Sequence, residues 1–161
     1  MTAITIRPGT AADSALIYQF VCELAVYEKA LSEVTTTEAN LREVLFGERP
    51  RAFSLVCEMD GIPVGFAVYF YNFSTWLGKY GLFLEDLYVS PKFRGSGAGR
   101  ALLQYLARQA LEEGCGRFEW NVLDWNEPSI AFYESCGAVA MSEWVGYRLQ
   151  GDALEAFAAA R

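Results

Sequence analysis

Along the 161 residues the apolar positions change period several times, and each change marks an element. Ile4 and Ile6 alternate with Thr5 and Arg7, the two-residue period of a short strand, which Pro8-Gly9 ends. Thr10 with Asp13 three residues on is a variant capping box. It opens a helix whose Leu16, Ile17, Phe20, Val21 and Leu24 recur at three and four and which ends near Tyr27-Glu28. A second helix starts at Thr37-Glu38, turns Leu41, Val44 and Leu45 inward, and stops at Gly47. Residues 53–58 and 63–71 read as strands joined by a tight turn at Asp60-Gly61. Residues 72–79 are expected to form a loop whose Phe73 and Trp76 more often pack over the core than line a ligand site. Residues 81–89 are the next strand. Leu102, Leu103, Leu106, Ala110 and Leu111 then set the inner face of a long helix that reaches Glu113, with Gly114 as its cap and Gly116 turning the chain.

Residues 117–122 read as another strand. Asn126-Glu127-Pro128-Ser129 is a strong helix start, with Asn as cap and Glu and Pro in the first turn. The short helix ends at Cys136-Gly137, and Asn126, Ser129 and Tyr133 share one of its faces. Residues 138–149 pattern like a hairpin, interrupted at Ser142-Glu143, and the last decad is an alanine-rich helix. No repeat, linker or low-complexity run divides the chain, so residues 1–161 are expected to be a single domain. This order predicts an α/β fold with a mixed, mostly antiparallel central sheet and helices on both faces. The early strands meander, and the two helical crossovers each demand a parallel neighbour.

Composition narrows the chemistry. Apolar residues make up 53% and charged ones 20%, as in a folded globular chain. The net charge of −7 argues against a nucleic-acid surface and is compatible with steering of a small cation, although solubility accounts for most of it. Apolar runs stop short of membrane-spanning length and no leader pattern opens the chain, so a cytoplasmic protein without a membrane partner is expected. The sequence contains no histidine. That removes every His-dependent triad, Cys-His dyad and histidine metal site. Cys22, Cys57, Cys115 and Cys136 form no Cys-x-x-Cys pair and are expected to be reduced, buried small hydrophobes, with no metal site. Acid and base must come from carboxylates, tyrosines, lysines, cysteines or water.

One stretch concentrates the remaining signal. An apolar strand carrying Glu85-Asp86 runs through Leu87, Tyr88 and Val89 to Ser90-Pro91, then to Arg94-Gly95-Ser96-Gly97-Ala98-Gly99-Arg100 at the start of the long helix. Glycines at alternate positions admit a ligand to the backbone amides, and a helix N-terminus favours phosphate. Arg94 adds a cation suited to phosphate oxygens. The loop by itself reads equally well as a tight strand-to-helix connection. It lacks the Gly-Lys-Ser/Thr of nucleotide-triphosphate loops and misses the spacing of the dinucleotide fingerprint.

Val89-x-x-x-x-Arg94-Gly95-x-Gly97-x-Gly99 resembles the acetyl-CoA loop of the GNAT superfamily of N-acetyltransferases. Asn126-Glu127-Pro128-Ser129-x-x-Phe132-Tyr133-x-x-x-Gly137-Ala138 resembles its second signature. Ile6-Arg7-Pro8, Glu23-Leu24-Ala25-x-Tyr27-Glu28, Trp76-x-Gly78-Lys79 and Leu84-Glu85-Asp86 extend the likeness to the spermidine/spermine and thialysine acetyltransferase branch, over nearly the whole chain. The resemblance implies acetyl-CoA as cosubstrate, a small cationic amine as acceptor and a homodimer. It implies that residues 94–100 surround the pyrophosphate, that Leu87, Tyr88 and Val89 pair with pantetheine through their backbone, and that Asn126 and Ser129 touch the cofactor. Tyr133 would protonate the departing thiolate, and Tyr27, Glu28, Trp76, Glu85 and Asp86 would face the amine.

The residues suit that chemistry. An alkylamine of pKa around 10 is mostly charged at pH 7 and must lose a proton before it attacks. Glu85 is the first choice of base, because burial raises a carboxylate's pKa. In a regular strand Glu85 and Asp86 face opposite ways, and only a bulge, which the superfamily has there, would aim both at one site. Without the resemblance Tyr133 reads as a core tyrosine, and Trp120 and Trp144 suit core or substrate wall equally. The short connection at 59–64 and the weakly acidic 142–145 depart from the branch and put polyamine preference in question. A CoA-binding regulatory module on the same fold is the alternative, and the presence of Glu85 and Tyr133 counts against it.

Overall fold

Where the alternation stops, so does the first strand. In the computed structural model, which describes residues 3–160, β1 (Ile4–Pro8) gives way to a 3-10 turn at Ala11–Asp13 and then to α1 (Ser14–Tyr27). The capping pair is present: the Thr10 amide donates to Asp13 Oδ2 at 2.7 Å and its hydroxyl does so at 3.0 Å. Arg7 completes a clasp. Its two terminal nitrogens fork onto the Asp13 oxygens at 2.8 and 2.9 Å, and its Nε donates to Glu58 Oε1 at 2.8 Å. One guanidinium thus joins β1, the start of α1, and β2 (Phe53–Met59).

The described residues fall into two compact units, one ending at Leu123 and one starting at Asp124. The first holds a five-stranded sheet in the order β1-β2-β3-β4-β5, with β3 at Ile62–Ser74, β4 at Lys79–Val89 and β5 at Phe118–Trp120. The first three pairings are antiparallel, and β4–β5 is parallel across the helical crossover. The β2–β3 turn has φ of 50° at Asp60 and 79° at Gly61, the doubly left-handed backbone of a type I′ hairpin.

Parity along β3 shows which helix covers which face. Phe66 joins the core cluster of Ile17, Phe20 and Leu24 on α1, and Val68 packs against it. Tyr69 and Tyr71, one step out of phase, accept hydrogen bonds from Gln109 on α3 (Ala98–Glu112) at 2.9 and 3.0 Å. Helices therefore cover both faces of this sheet, as the residue pattern predicts.

Several expectations fail locally. Residues 72–79 are not a loop: β3 runs on to Ser74, β4 begins at Lys79, and only a four-residue turn separates them. Phe73 is a strand residue facing Tyr80 across the hairpin at 5.3 Å between ring centroids. Trp76 at the turn is 86% exposed, so neither ring packs down as a core lid. In α2 (Glu38–Phe46) Leu45 is buried and Leu41 packs against the core, but Val44 is exposed. On α3, Leu111 is 78% exposed, because a repeat of three and four carries it past the edge of the buried stripe. The strand expected over 117–122 is only three residues long. All four cysteines are free, but only Cys57 is buried; Cys136 is exposed.

The second unit holds α4 (Glu127–Ser135) and α5 (Gly151–Ala159). Residues 138–149 carry no strand, so the hairpin expected there is not formed within this unit. The apolar spacing is there, but spacing alone does not make a strand, which also needs a paired neighbour.

Candidate active site

The site begins with an irregularity in β4. Val68 pairs with Asp86 and Tyr69 with Leu84, so one step on β3 matches two on β4, and Glu85 is the extra residue. Such a bulge reverses the phase of the strand. Before it, Leu82 and Leu84 lie opposite Tyr71 and Tyr69 on the α3 face. After it, Asp86 and Tyr88 lie opposite Val68 and Phe66 on the α1 face. A strand without the bulge would put Asp86 on the α3 side, away from Glu28 at the C-terminal end of α1.

Three carboxyl groups meet there. Asp86 is half-buried, and its carboxyl is pushed up to about 6, by burial first and then by the charges of Glu85 and Glu28. Glu28 is raised as well, by burial and then by Glu85. Glu85 itself is exposed. The expectation of a buried Glu85 is therefore corrected: the residue that burial turns into a better base is its neighbour. The bulge points Asp86 inward and leaves Glu85 at the rim.

β4 and β5 separate at the same place. Their pairing covers Leu82 to Leu84 and stops, so among the described residues Leu87, Tyr88 and Val89 pair with β3 on one side and with no strand on the other. An open edge of this kind accepts an extended ligand as an added strand. Arg94 occupies one of its acceptors, donating from Nε to the Val89 carbonyl at 3.1 Å. The guanidinium carbon lies 4.8 Å from the Tyr27 ring centre and 5.8 Å from that of Tyr88. The Tyr88 hydroxyl donates to Glu23 Oε2 at 2.7 Å.

From Ser90 the chain makes a 3-10 turn and enters the glycine loop. Gly95 and Gly97 have φ of 77° and 93°, and Gly97 is the left-handed N-cap of α3. A Cβ at Gly95 would meet nothing within 4 Å, and at Gly97 only Ile4 Cδ1 at 3.8 Å. Backbone conformation, not crowding, demands glycine there. The Ser96 hydroxyl turns back onto the Phe93 carbonyl, Ala98 begins the helix, and no acidic residue stands in its first turn. Gly99 and Arg100 follow within that turn. A pyrophosphate fits such an end: first-turn amides, an uncontested positive dipole and nearby arginines.

Trp76 is elsewhere. It lies beyond Lys79, six residues from Glu85 along β4, or roughly 20 Å at the usual rise of a strand, so its own chain does not bring it to the carboxylates. A recess of about 230 Å³ near that hairpin end, lined by Asn72, Ser74, Lys79, Arg117 and Glu119 among others, is likewise distant from the glycine loop. Trp120 is half-buried against Phe118, and Trp144 is exposed. In the second unit Asn126 is buried at the N-cap of α4, but its side chain makes no capping hydrogen bond, contrary to expectation. Ser129 and Tyr133 are half-buried on the same face of α4, and the Tyr133 and Phe132 rings are 5.5 Å apart.

Two participants have no role in the sequence reading: Glu23, and the side chain of Tyr88. A signal for them exists. Glu23 is one helical turn before Tyr27, and Tyr88 shares a strand face with Asp86 once the bulge is known.

The sequence profile of the Acetyltransferase (GNAT) family matches residues 19–138. The thialysine N-epsilon-acetyltransferase of Sus scrofa is 36% identical, over 98% of this chain and 99% of that protein. The L-ornithine N5-acetyltransferase of Arabidopsis thaliana is 30% identical, over 94% of this chain and 86% of its own length. Among solved structures, an integron cassette protein of V. cholerae superposes with a TM-score of 0.81 at 26% identity, covering 98% of both chains.

Proposed function

The chain belongs to the GNAT family of acetyltransferases and is an N-acetyltransferase, and we propose that its acceptor is a primary amine of a small cationic molecule. A thialysine-like amino acid, a diamine and a polyamine are the candidates, and acetyl-CoA, the cosubstrate of the family, is the donor. The observation that carries this reading is the bulge, which gathers Glu28, Glu85 and Asp86 beside the open edge that leads into the glycine loop.

Bound acetyl-CoA supplies an acetyl group activated as a thioester. The residues suited to hold it are the first-turn amides of α3, Ser96, Arg94 and Arg100 for the phosphates, and the Leu87–Val89 backbone for the pantetheine arm. Arg94 must leave the Val89 carbonyl to do so. The carboxylates hold the ammonium group and take its proton. The freed nitrogen bonds to the acetyl carbon as the carbon–sulfur bond breaks. Tyr133 is the proposed proton donor to the leaving thiolate, with Asn126 and Ser129 at the cofactor; these three roles rest on the sequence motif. Tyr27 belongs to the amine side through its place beside Glu28. Trp76 is retained as a substrate contact only in a homodimer, which is part of the same proposal, as is a cytoplasmic location.

Thiol release from acetyl-CoA is the test, measured with thialysine, lysine, ornithine, putrescine, spermidine and spermine. Turnover is expected with at least one of them. Coenzyme A binding without release for any amine would overturn the proposal in favour of a regulatory module. Tyr133→Phe should lower kcat by about two to four powers of ten with acetyl-CoA affinity retained. Full turnover in that variant, with chemistry rate-limiting, would make Tyr133 a packing residue. Light scattering at micromolar concentration checks the dimer.

A further inference from the structure

We propose that the recess between the end of the β3–β4 hairpin and the start of β5 binds a free α-amino acid, its carboxylate held by Lys79 and Arg117 and its ammonium group by Glu119. Lys79 is six residues from Glu85 along β4, roughly 20 Å at the usual rise of a strand, so this is a second site and not part of the acetyl-transfer site.

Three segments wall the recess: the end of β3, the start of β4 and the chain entering β5. Its volume of about 230 Å³ is below the roughly 300 Å³ at which pockets for drug-sized ligands begin, so it suits a smaller molecule. Backbone bonds from the Leu82 amide to the Arg117 carbonyl at 3.0 Å and from the Gly116 amide to the Tyr80 carbonyl at 2.8 Å hold the walls together. Two glycines let them come this close. A Cβ at Gly81 would collide with Asn72 Oδ1, so glycine there lets the Asn72 side chain cross β4 and donate from Nδ2 to Glu119 Oε1 at 3.3 Å. A Cβ at Gly116 would lie 2.8 Å from Leu77 Cδ1 and 3.3 Å from Lys79 Cβ, so glycine there brings the chain against the hairpin. Neither glycine has a positive φ, and space alone accounts for both.

Both signs of charge line the recess. The Lys79 side chain has no hydrogen bond or ion pair among the described residues. Arg117 approaches Glu119 only to 4.0 Å, beyond hydrogen-bond distance, so its guanidinium keeps donors to spare. Glu119 accepts from Asn72 with Oε1, and its Oε2 is the atom nearer Arg117. Ser74 is buried, and its hydroxyl accepts from the Leu77 amide at 3.2 Å, which leaves its own hydrogen to donate. A simple anion would meet two cations here but also the Glu119 carboxylate. A simple amine would meet that carboxylate but also two repelling cations. A molecule with its carboxylate and ammonium groups one carbon apart matches both signs, which is the chemistry of an α-amino acid. Arg117 and Glu119 are partly exposed, and exposed ion pairs are individually weak, so a dissociation constant in the millimolar range is expected.

The test is amide nuclear magnetic resonance of the full-length protein titrated with three probes. L-norleucine has the amino-acid head and no side-chain amine, hexanoate is the same molecule without the ammonium group, and pentylamine is the same molecule without the carboxylate. L-norleucine should give saturable shifts at Asn72, Gly81, Gly116 and Glu119, with hexanoate and pentylamine weaker at those amides by about fivefold. Lys79→Gln and Arg117→Gln should each weaken L-norleucine by about three- to fivefold. Glu119→Gln keeps an acceptor for Asn72 and should reverse the order, so that hexanoate binds more tightly than L-norleucine. The comparison of the three probes on the wild type holds whether or not every variant folds. Shifts that do not saturate, that saturate equally with hexanoate or pentylamine, or that gather at Leu87–Val89 and the glycine loop would overturn the amino-acid site. So would Lys79→Gln and Arg117→Gln proteins that fold and bind L-norleucine as the wild type does. Turnover is no part of the readout, so this site stands or falls separately from the acetyl-transfer reading.

Discussion

Two aspartates of this chain, Asp13 and Asp86, sit in opposite electrostatic settings. Asp13 faces the Arg7 guanidinium and the Thr10 amide, and these hold its carboxyl down to about 2 from an ordinary 3.8. Asp86 is half-buried near two other carboxylates, and burial first and then their charges push it up to about 6 from the same value. The first arrangement makes ionisation favourable and ties three elements together. The second makes ionisation costly and is therefore retained at the expense of stability. Paired charges hold this sheet together, and crowded like charges mark where protons move.

The largest contrast is between Asp86→Asn and Asp13→Asn. The first should remove two to four powers of ten of turnover yet melt higher at pH 8, by about 1–2 kcal/mol, because a costly charge is gone. The second should leave turnover per folded molecule unchanged and melt lower. If both variants lose activity and stability together, the two sites do not differ in kind.

Arg7→Ala sharpens the stabilising side. It strands Asp13 and Glu58 at once, and a partly buried pair deprived of its cation costs roughly 2–3 kcal/mol. Denaturant unfolding at pH 7 measures it. A loss below about 0.5 kcal/mol would make the clasp an ordinary surface pair.

The two groups also impose opposite slopes on stability against pH. Asp86 binds its proton more tightly folded than unfolded, so its penalty is complete above about pH 6 and disappears as pH falls to 3.8. Glu28, raised in the same direction, adds to that slope. Asp13 binds its proton more weakly folded, so its contribution is complete above 3.8 and is lost as pH falls through about 2. Going down from pH 8, thermal melts of the wild type should therefore gain on Asp86→Asn until about pH 4. Below that they should lose ground to Asp13→Asn. Parallel curves for wild type and Asp86→Asn between pH 4 and 6 would show that Asp86 is not perturbed.

How far the sequence foretells this follows from what leaves a local mark. Thr10 and Asp13 are three residues apart, Asp60-Gly61 needs φ values few other pairs tolerate, and Gly97 precedes a run of helical period. All three are legible because the cause lies within a few residues. The bulge at Glu85 is not legible, since it exists only as a mismatch with β3, and the exchange of burial between Glu85 and Asp86 follows from it. The same holds for Phe73, placed in a strand by Tyr80 across the hairpin, while at 138–149 the alternation is present without a strand. Arg94 is legible as a phosphate cation. Its contacts with Tyr27, Tyr88 and the Val89 carbonyl depend on three segments meeting and have no signature in any one of them.

Arg94 supplies the smallest expected effect, because two consequences of its removal oppose each other. Arg94→Ala takes away a cation suited to the pyrophosphate, which weakens binding. It also frees the Val89 carbonyl and removes the cost of pulling the guanidinium from two aromatic faces, an exposed contact worth about 0.5–1 kcal/mol. A charge-assisted phosphate bond is worth about 1.5–3 kcal/mol, so the net loss is about 0.5–2.5 kcal/mol and coenzyme A affinity should fall by roughly two- to seventyfold. Titration calorimetry at two salt concentrations separates the parts. The phosphate contribution is screened by salt, so the gap between wild type and variant should narrow as ionic strength rises. Dephospho-coenzyme A should show the same gap if Arg94 meets the pyrophosphate and a smaller one if it meets the 3′-phosphate. Equal affinity of both proteins for coenzyme A at low salt would mean that Arg94 stays on Tyr27 and Tyr88 when the ligand binds, a structural cation at the hinge between α1 and β4.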